Sequence, residues 1–282
     1  MAIANDPAPP EPRRYRYVRH SAAVRIMHWV NVVALAVLLM SGLQIFNAHP
    51  ALYWGKSSYS GRPPVLEMRA QRTADGRPVG ITEVFGHSFR TTGVLGLSTD
   101  PEGGLAERGF PAWLTVPSNQ WLAMARRWHF FFEWIFILNG SAYLIYSFWS
   151  RHLLNDLVPT RRDWRSVGRS LWDHLLLRHP VGEQAKHYNV LQKITYLSVI
   201  FGLLPFMVLM GLGLSPRWDT LWPGWVDVFG GRQSVRTLHF VAAMLVVLFV
   251  AVHVFEVLIG GVWNNLRSML TGRYEITDAP KP

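Results

Sequence analysis

Four long apolar segments constrain this chain more than any other feature of its sequence. They cover residues 24–46, 128–149, 194–214 and 238–262, and each is 21 to 25 residues long with few charges. About 20 apolar residues in a helix cross the hydrocarbon layer of a membrane, which is about 30 Å thick. Buried helices of a soluble protein are the alternative, but four of this length rarely occur in one soluble chain. We therefore predict an all-α integral membrane protein built as a four-helix bundle.

The connections between these segments are unequal. The outer insert, residues 47–117, is long enough to form a small structured cap, and its stretch PVLEMRAQRTADGRPVGITEVF contains a DG turn signal that predicts a β-hairpin. In the inner connection, residues 150–192, the apolar side chains of 163–177 share one helical face. This pattern predicts either a helix lying in the membrane interface or an ordinary amphipathic helix packed on the protein. The predicted boundaries are a disordered cytoplasmic tail at 1–20, a membrane domain at 21–270 with helices at about 24–46, 118–149, 193–214 and 237–262, and a second cytoplasmic tail at 271–282.

The net charge of +10 is distributed in a way that favours membrane lipid over nucleic acid as its partner. No aromatic and basic binding module lies between the apolar segments. Arginine and lysine are instead concentrated in the N-terminal tail, in 150–193 and near the C-terminus, which four crossings place on one side of the membrane. The positive-inside rule then predicts a multi-pass membrane protein with both termini in the cytoplasm. The chain has no cysteine, which excludes disulfides, thiolate-held iron–sulfur clusters and c-type haem attachment.

Four of the eleven histidines lie in or at the ends of the apolar segments. His239 and His253, in RTLHFVAAMLVVLFVAVHVFE, are fourteen residues apart, so they share a helix face and are separated by about 21 Å. Because successive helices alternate in direction, His28 lies at the depth of His253 and His129 at that of His239. Two such pairs suit two six-coordinate b-type haem sites or a proton relay, and the spacing alone does not choose between them. A zinc site would need ligands closer together.

Three stretches carry a family resemblance. VRIMHWVN, RRWHFFFEW and the histidine pair of the fourth segment resemble the di-haem membrane cytochrome b subunits of respiratory nickel–iron hydrogenases and formate dehydrogenases, within the cytochrome b561 superfamily. SGLQIFNAHPALYWG and FPAWLTVPSNQWLAMARRWHFFFEW are similar to the narrower thiosulfate-reductase-type cytochrome b group. The resemblance covers residues 19 to about 270. It implies that His28 and His253 ligate an inner haem iron, and His129 and His239 an outer one.

The resemblance also implies a function. Proteins of this kind lie in the bacterial inner membrane and pass electrons between a membrane quinone and a redox partner on the periplasmic face. In the narrower group this partner is a molybdopterin oxidoreductase. We expect such a partner to dock on residues 47–127. Whether the chain is an enzyme then depends on whether quinone turnover is credited to this subunit or to the complex.

A quinone site is implied by the stretch HYNVLQK, which matches the family pattern Y-N-x-x-Q-K. Asn189 is the expected contact of a quinone carbonyl, although Leu191 stands where relatives can have a small residue. Without the family, Asn189 would be interpreted as a helix cap and Lys193 as a contact of lipid phosphate. The quinone candidates are Tyr188, Asn189, Gln192, Lys193 and Glu256.

Arginines near the ends of the histidine-bearing helices could pair with haem propionates, or anchor the helices in the interface. They are Arg25, Arg127 and Arg236. Two other functions remain open from the sequence. A stand-alone quinone-linked cytochrome acting on superoxide or another small acceptor would be active as a single purified chain, and a non-redox transporter with proton-relaying histidines would be colourless.

Overall fold

The computed structural model describes residues 13–59, 61–176 and 188–278, and its helices bear out the predicted fold class. Four helical segments of the described chain are long and apolar enough to cross a membrane, namely Ala22–Asn47, Leu122–Trp149, Val190–Gly213 and Arg232–Ile259. The helices are α1 (Ala22–Asn47), α2 (Leu122–Trp149), α3 (Arg161–Arg165), α4 (Val167–Leu175), α5 (Val190–Ser198), α6 (Leu204–Gly213), α7 (Pro216–Leu221), α8 (Arg232–Ile259) and α9 (Val262–Thr271). The strands are β1 (Arg13–Val18), β2 (Ala51–Leu52), β3 (Leu66–Arg72), β4 (Pro78–Val84), β5 (His87–Arg90), β6 (Leu97–Thr99), β7 (Leu105–Glu107) and β8 (Arg273–Asp278).

The ends of the spans differ from the predicted ends for local reasons. Helix α2 begins at Leu122 instead of 118. Just before it, the Asn119 carbonyl accepts from the Trp121 N–H at 2.7 Å and from the Gln44 side chain at 2.8 Å, which is a turn and not an α-helical pattern. Helix α8 stops at Ile259, before 262, because Gly261 has φ +95°, a conformation that ends a right-handed helix. The third span contains a π-helical turn at Val199–Leu203, just before Pro205, whose ring cannot complete a regular α-helical ladder.

The chain divides into two compact units. We name the unit formed by residues 1–28, 143–200 and 249–282 the terminal unit, and that formed by 29–142 and 201–248 the central unit. Each of the four spans is divided between the two units, with one part in the terminal unit and the other in the central unit.

The cap of the central unit is a four-stranded antiparallel sheet in the order β2-β3-β4-β5. Its β3–β4 hairpin closes around the DG turn that the sequence predicted, with Arg72 opposite Pro78. Phe46 at the end of α1 packs with Leu52 and Met68, which joins this sheet to the first span. Arg108 is 1 % exposed and donates to the carbonyls of Phe110 and Ser118 at 2.7 and 3.0 Å. These bonds tie together the loop segments that contain the two residues.

The terminal unit contains structure where the sequence predicted tails. Strand β1 pairs antiparallel with β8, with Arg13 opposite Asp278 and Val18 opposite Arg273. The tails predicted as disordered at 1–20 and 271–282 are therefore ordered over β1 and β8. Local pattern could not reveal this pairing, because the two partner strands lie at opposite ends of the chain. Residues 1–12 and 279–282 lie outside the described part.

The predicted interfacial helix is divided into α3 and α4 at Ser166. Helix α3 begins at a capping box in which the Thr160 side chain accepts from the Asp163 N–H and the Asp163 carboxylate accepts from the Thr160 N–H. On α4, Leu171 and Trp172 are exposed. The last residue of the predicted stretch, at position 177, lies outside the described residues.

Candidate functional site

One pair of histidines lies in the central unit. His129 on α2 faces His239 on α8, with 6.3 Å between the ring centroids and 75° between the ring planes. The pairing of these two residues, expected from their depth in the helices, is therefore present in the structure.

The second pair lies in the terminal unit. His28 near the start of α1 faces His253 on α8, with ring centroids 6.4 Å apart and planes inclined by 57°. The Phe249 ring stacks on His253 at 6.0 Å and 21°, which fixes the plane of this imidazole. Each pair is thus complete within one unit and has nearly the same separation as the other.

This separation suits a metal ion held between two imidazoles. Two nitrogen–metal bonds of roughly 2 Å, plus roughly 1 Å from each nitrogen to its ring centre, add up to about 6 Å. Among the described residues no group of three or more histidine, cysteine or acidic side chains could hold a metal ion. Each pair therefore offers two imidazole nitrogens, the number of axial ligands that a six-coordinate haem takes.

The backbone around His239 fixes which of its nitrogens is available. Its Nδ1 lies 3.1 Å from the carbonyl oxygen of Met207 on α6. A carbonyl only accepts, so the proton resides on Nδ1 and the Nε2 lone pair can bind a metal. Gly211, four residues after Met207, leaves this carbonyl accessible: a Cβ added there would lie 3.3 Å from His239 Cε1.

The same arrangement occurs around His129, on α1. The His129 ring hydrogen-bonds to the backbone at Leu38. Gly42, four residues later, leaves that backbone open, and a Cβ on it would lie 3.3 Å from His129 Cε1. His129 Nδ1 also lies 3.0 Å from the hydroxyl of Ser41. Both histidines of the central unit are thus held through Nδ1 beside a glycine.

Sequence reasoning identified the four histidines but missed the supports Ser41, the Met207 carbonyl and Gly211. At Gly140 and Gly202, by contrast with Gly42 and Gly211, an added Cβ would meet nothing within 4 Å. A glycine four residues after the accepting carbonyl is a usable signal only once the rotation of each helix is known. Sequence does not supply that rotation.

Two of the three candidate propionate arginines bind backbone oxygens. Arg236 donates to the carbonyls of Ala51 at 2.8 Å and His49 at 2.5 Å, which fastens α8 to the start of the cap. Arg25 donates to the carbonyl of Leu270 through Nη1. Arg127 is exposed. The structure thus gives Arg25 and Arg236 structural contacts.

The stretch proposed to contact quinone begins α5. Asn189 caps the helix, because its Oδ1 accepts from the Gln192 N–H at 2.9 Å while Gln192 Oε1 accepts from the Asn189 N–H at 3.2 Å. Lys193 donates to Asp163 at 3.0 Å, so a protein carboxylate takes the place of the expected lipid phosphate. Burial raises the pKa of Tyr188, whose ring meets the Tyr196 ring edge-on at 5.7 Å. Glu256 is half-buried on α8, three residues after His253.

Titratable groups outside the spans accompany this stretch in the terminal unit. His152 Nδ1 lies 2.6 Å from the Asp156 carboxylate, which is half exposed. Burial, followed by the charge of Arg19, lowers the pKa of His20 to about 4, so this side chain is neutral near pH 7. His20 is also within electrostatic range of His152 and His28. The unit that holds the His28–His253 pair therefore also holds an imidazole–carboxylate pair outside the spans.

Comparison with known proteins agrees with this geometry. The family model described as prokaryotic cytochrome b561 matches residues 19–272, a range that contains all four spans and both histidine pairs. The putative protein-methionine-sulfoxide reductase subunit YedZ1 of Azospira oryzae is 26% identical over 261 residues, which are 91% of this chain and 97% of that protein. No solved structure matches the chain. The chain thus belongs to the prokaryotic cytochrome b561 family, as a multi-pass membrane cytochrome that transfers electrons and for which the family implies b-type haem.

Proposed function

We propose that this protein is a di-haem b-type cytochrome that transfers electrons between the quinone pool and a redox partner on the periplasmic face. The observation that carries the proposal is the presence of two opposed imidazole pairs, at 6.3 and 6.4 Å, where one haem would need one pair. His28 and His253 would hold the inner haem, and His129 and His239 the outer one. Bound haem supplies a reversible one-electron centre. The protein's own residues orient the imidazoles, and the apolar helices would surround the haem.

The partner is proposed from the relative and from the cap. The Azospira protein is named as a putative subunit of a protein-methionine-sulfoxide reductase, and we infer that this chain likewise serves a periplasmic oxidoreductase, of the molybdopterin class, docking on 47–127. A folded sheet with exposed aromatic rings supports this role, since aromatic side chains are enriched at protein interfaces. The large exposed rings of the segment are Trp54, Tyr59, Phe85, Phe89, Trp113 and Trp121.

The quinone site is proposed in the terminal unit, at the start of α5. Since Asn189 Oδ1 accepts the Gln192 N–H, the Asn189 amide nitrogen is the group that would donate to a quinone carbonyl. Tyr188, Gln192, Lys193 and Glu256 complete the proposed set. The His152–Asp156 pair offers an exchange point for protons that accompany quinone oxidation or reduction. Arg25, Arg127 and Arg236 remain the proposed propionate partners.

Haem content of the purified protein tests the central proposal. We expect a reduced-minus-oxidised b-type spectrum and a pyridine haemochrome ratio of two haems per chain. His28→Ala or His253→Ala should remove mainly one haem, and His129→Ala or His239→Ala the other. His87→Ala, at an exposed position in β5, is the matched control and should keep both.

Contrary results would separate the alternatives. A colourless preparation would refute the cytochrome proposal and favour the proton-relay transporter. Turnover of superoxide by the purified chain with quinone alone would favour the stand-alone oxidoreductase. Equal loss of both haems in all four variants, with normal yield of the protein, would refute the assignment of ligands to pairs.

A further inference from the structure

The hydroxyl of Ser41 lies between α1 and the His129 imidazole, inside the central unit. Ser41 is 0 % exposed, and its Oγ lies 3.0 Å from His129 Nδ1. The same Oγ is 2.6 Å from the carbonyl oxygen of Val37 and 3.2 Å from that of Leu38. A hydroxyl has one hydrogen, and here a carbonyl acceptor takes it. The lone pairs of Ser41 Oγ therefore face the imidazole and accept from the Nδ1–H.

This contact makes the two facing histidines unequal. The His129 ring meets two acceptors, the Ser41 hydroxyl and the backbone at Leu38. In the hydrogen bonds of the described residues, His239 Nδ1 is paired with the Met207 carbonyl. The residue before Gly211 on α6 is Met210, which is 0 % exposed and has no hydroxyl, whereas the residue before Gly42 on α1 is Ser41.

An acceptor on the outer N–H of an imidazole raises the basicity of the nitrogen that binds the metal. A more basic ligand stabilises the ferric form over the ferrous form and lowers the reduction potential of the haem. We propose that Ser41 is a positioning residue that orients His129 and lowers the potential of the haem held by His129 and His239. This inference rests on the proposed function, because it requires that haem to be present.

A potentiometric titration of the purified protein, followed by haem absorbance, tests the inference. The wild-type chain should titrate in two steps, and the step that survives in the His253→Ala variant belongs to the His129–His239 haem. Ser41→Ala should shift that step to higher potential and leave the other in place. The low-spin ferric electron paramagnetic resonance signal of the same haem should move as well, because it senses ligand orientation and basicity.

Two further variants separate a tuning role from a merely structural one. Ser41→Thr keeps the hydroxyl and should restore the wild-type potential. Ser147 is a fully buried serine on the same helix as His129, and no hydrogen bond from it to a histidine is described. Ser147→Ala should therefore leave the step of the His129–His239 haem in place. If Ser41→Ala loses haem, Ser41→Cys retains a side chain of the same shape, slightly larger, whose sulfur is only a weak acceptor, and it should show the upward shift.

The outcomes are distinguishable from those of the parent proposal. A wild-type chain without haem overturns both the proposed function and the role of Ser41. Two intact haems whose potentials do not change in Ser41→Ala, or change equally, overturn the role of Ser41 alone.

Discussion

Two glycines set how closely α1 and α6 approach the imidazoles of the central unit. At Gly42 and Gly211 alike, an added Cβ would lie 3.3 Å from a histidine Cε1, so the ring would have to move. Overpacking of this kind costs about 1–3 kcal/mol, which is roughly a 5- to 150-fold loss of affinity. We predict that Gly42→Ala and Gly211→Ala lower the occupancy of the His129–His239 haem, measured as haem per chain. Gly140→Ala, where a Cβ meets nothing within 4 Å, should have no effect, and an equal loss there would contradict the explanation.

The Asp163 carboxylate makes two contacts: it completes the capping box of α3 and it pairs with Lys193 of α5. The Lys193 side chain is only 10% exposed, so its ammonium would lose its partner in a poorly solvated position. We predict that Asp163→Asn lowers stability by about 1–3 kcal/mol, measured as the apparent midpoint of thermal unfolding in detergent. Asp173→Asn on α4, for which no ion pair is described, should leave the midpoint in place.

The same carboxylate predicts a pH dependence. Burial alone would raise the pKa of Asp163, but hydrogen bonds from the Thr160 backbone and from Lys193 outweigh burial and lower it from 3.8. A lowered folded pKa means that the stabilisation is complete above the unfolded pKa and is lost as the pH falls through the folded value. The difference between wild type and Asp163→Asn should therefore be constant near neutral pH and shrink below about pH 4. A difference that grows on acidification would contradict this assignment.

At the scale of elements, the β1–β8 ribbon buries some of its apolar side chains within the terminal unit and leaves others exposed. Ile276 is 2 % exposed, whereas Val18 on the partner strand is 72 % exposed. Truncating a buried aliphatic side chain costs about 2–5 kcal/mol, while surface substitutions are usually within about 0.5 kcal/mol. We predict that Ile276→Ala lowers the unfolding midpoint and that Val18→Ala does not. Similar midpoints for the two variants would show that the ribbon contributes little to stability.

How far each element could be predicted follows from the range of the interactions that form it. The spans were predictable because membrane thickness sets the length of an apolar segment, and this length can be read from each segment alone. The β3–β4 hairpin was predictable because its turn, Asp75–Gly76, is formed by neighbouring residues. The β1–β8 ribbon was not predictable, because its strands are far apart in sequence. The histidine pairs followed from depth, but Ser41 and Gly211 depend on helix rotation, which the weakly amphipathic spans do not encode.

At the scale of the whole molecule, the ribbon and the four spans of the described residues agree on topology. Strand β1 precedes the first span and β8 follows the last, and their pairing places both on one side of the membrane. We predict that this side is the cytoplasm, so a C-terminal green fluorescent protein should fluoresce. Alkaline phosphatase should be inactive at the C-terminus and active when inserted at the Gly103 turn between β6 and β7. The reverse pattern would invert the proposed orientation and place the cap in the cytoplasm.

The β1–β8 ribbon also has a consequence for biosynthesis. Ribosomes make β1 before any span, and its pairing partner only after the last one, so this ribbon is among the final contacts to form. Until then the early strand has no native neighbour along its hydrogen-bonding edge. A nascent chain arrested or truncated before residue 273 would thus contain the four spans and both histidine pairs, yet it would lack the strand that pairs with β1.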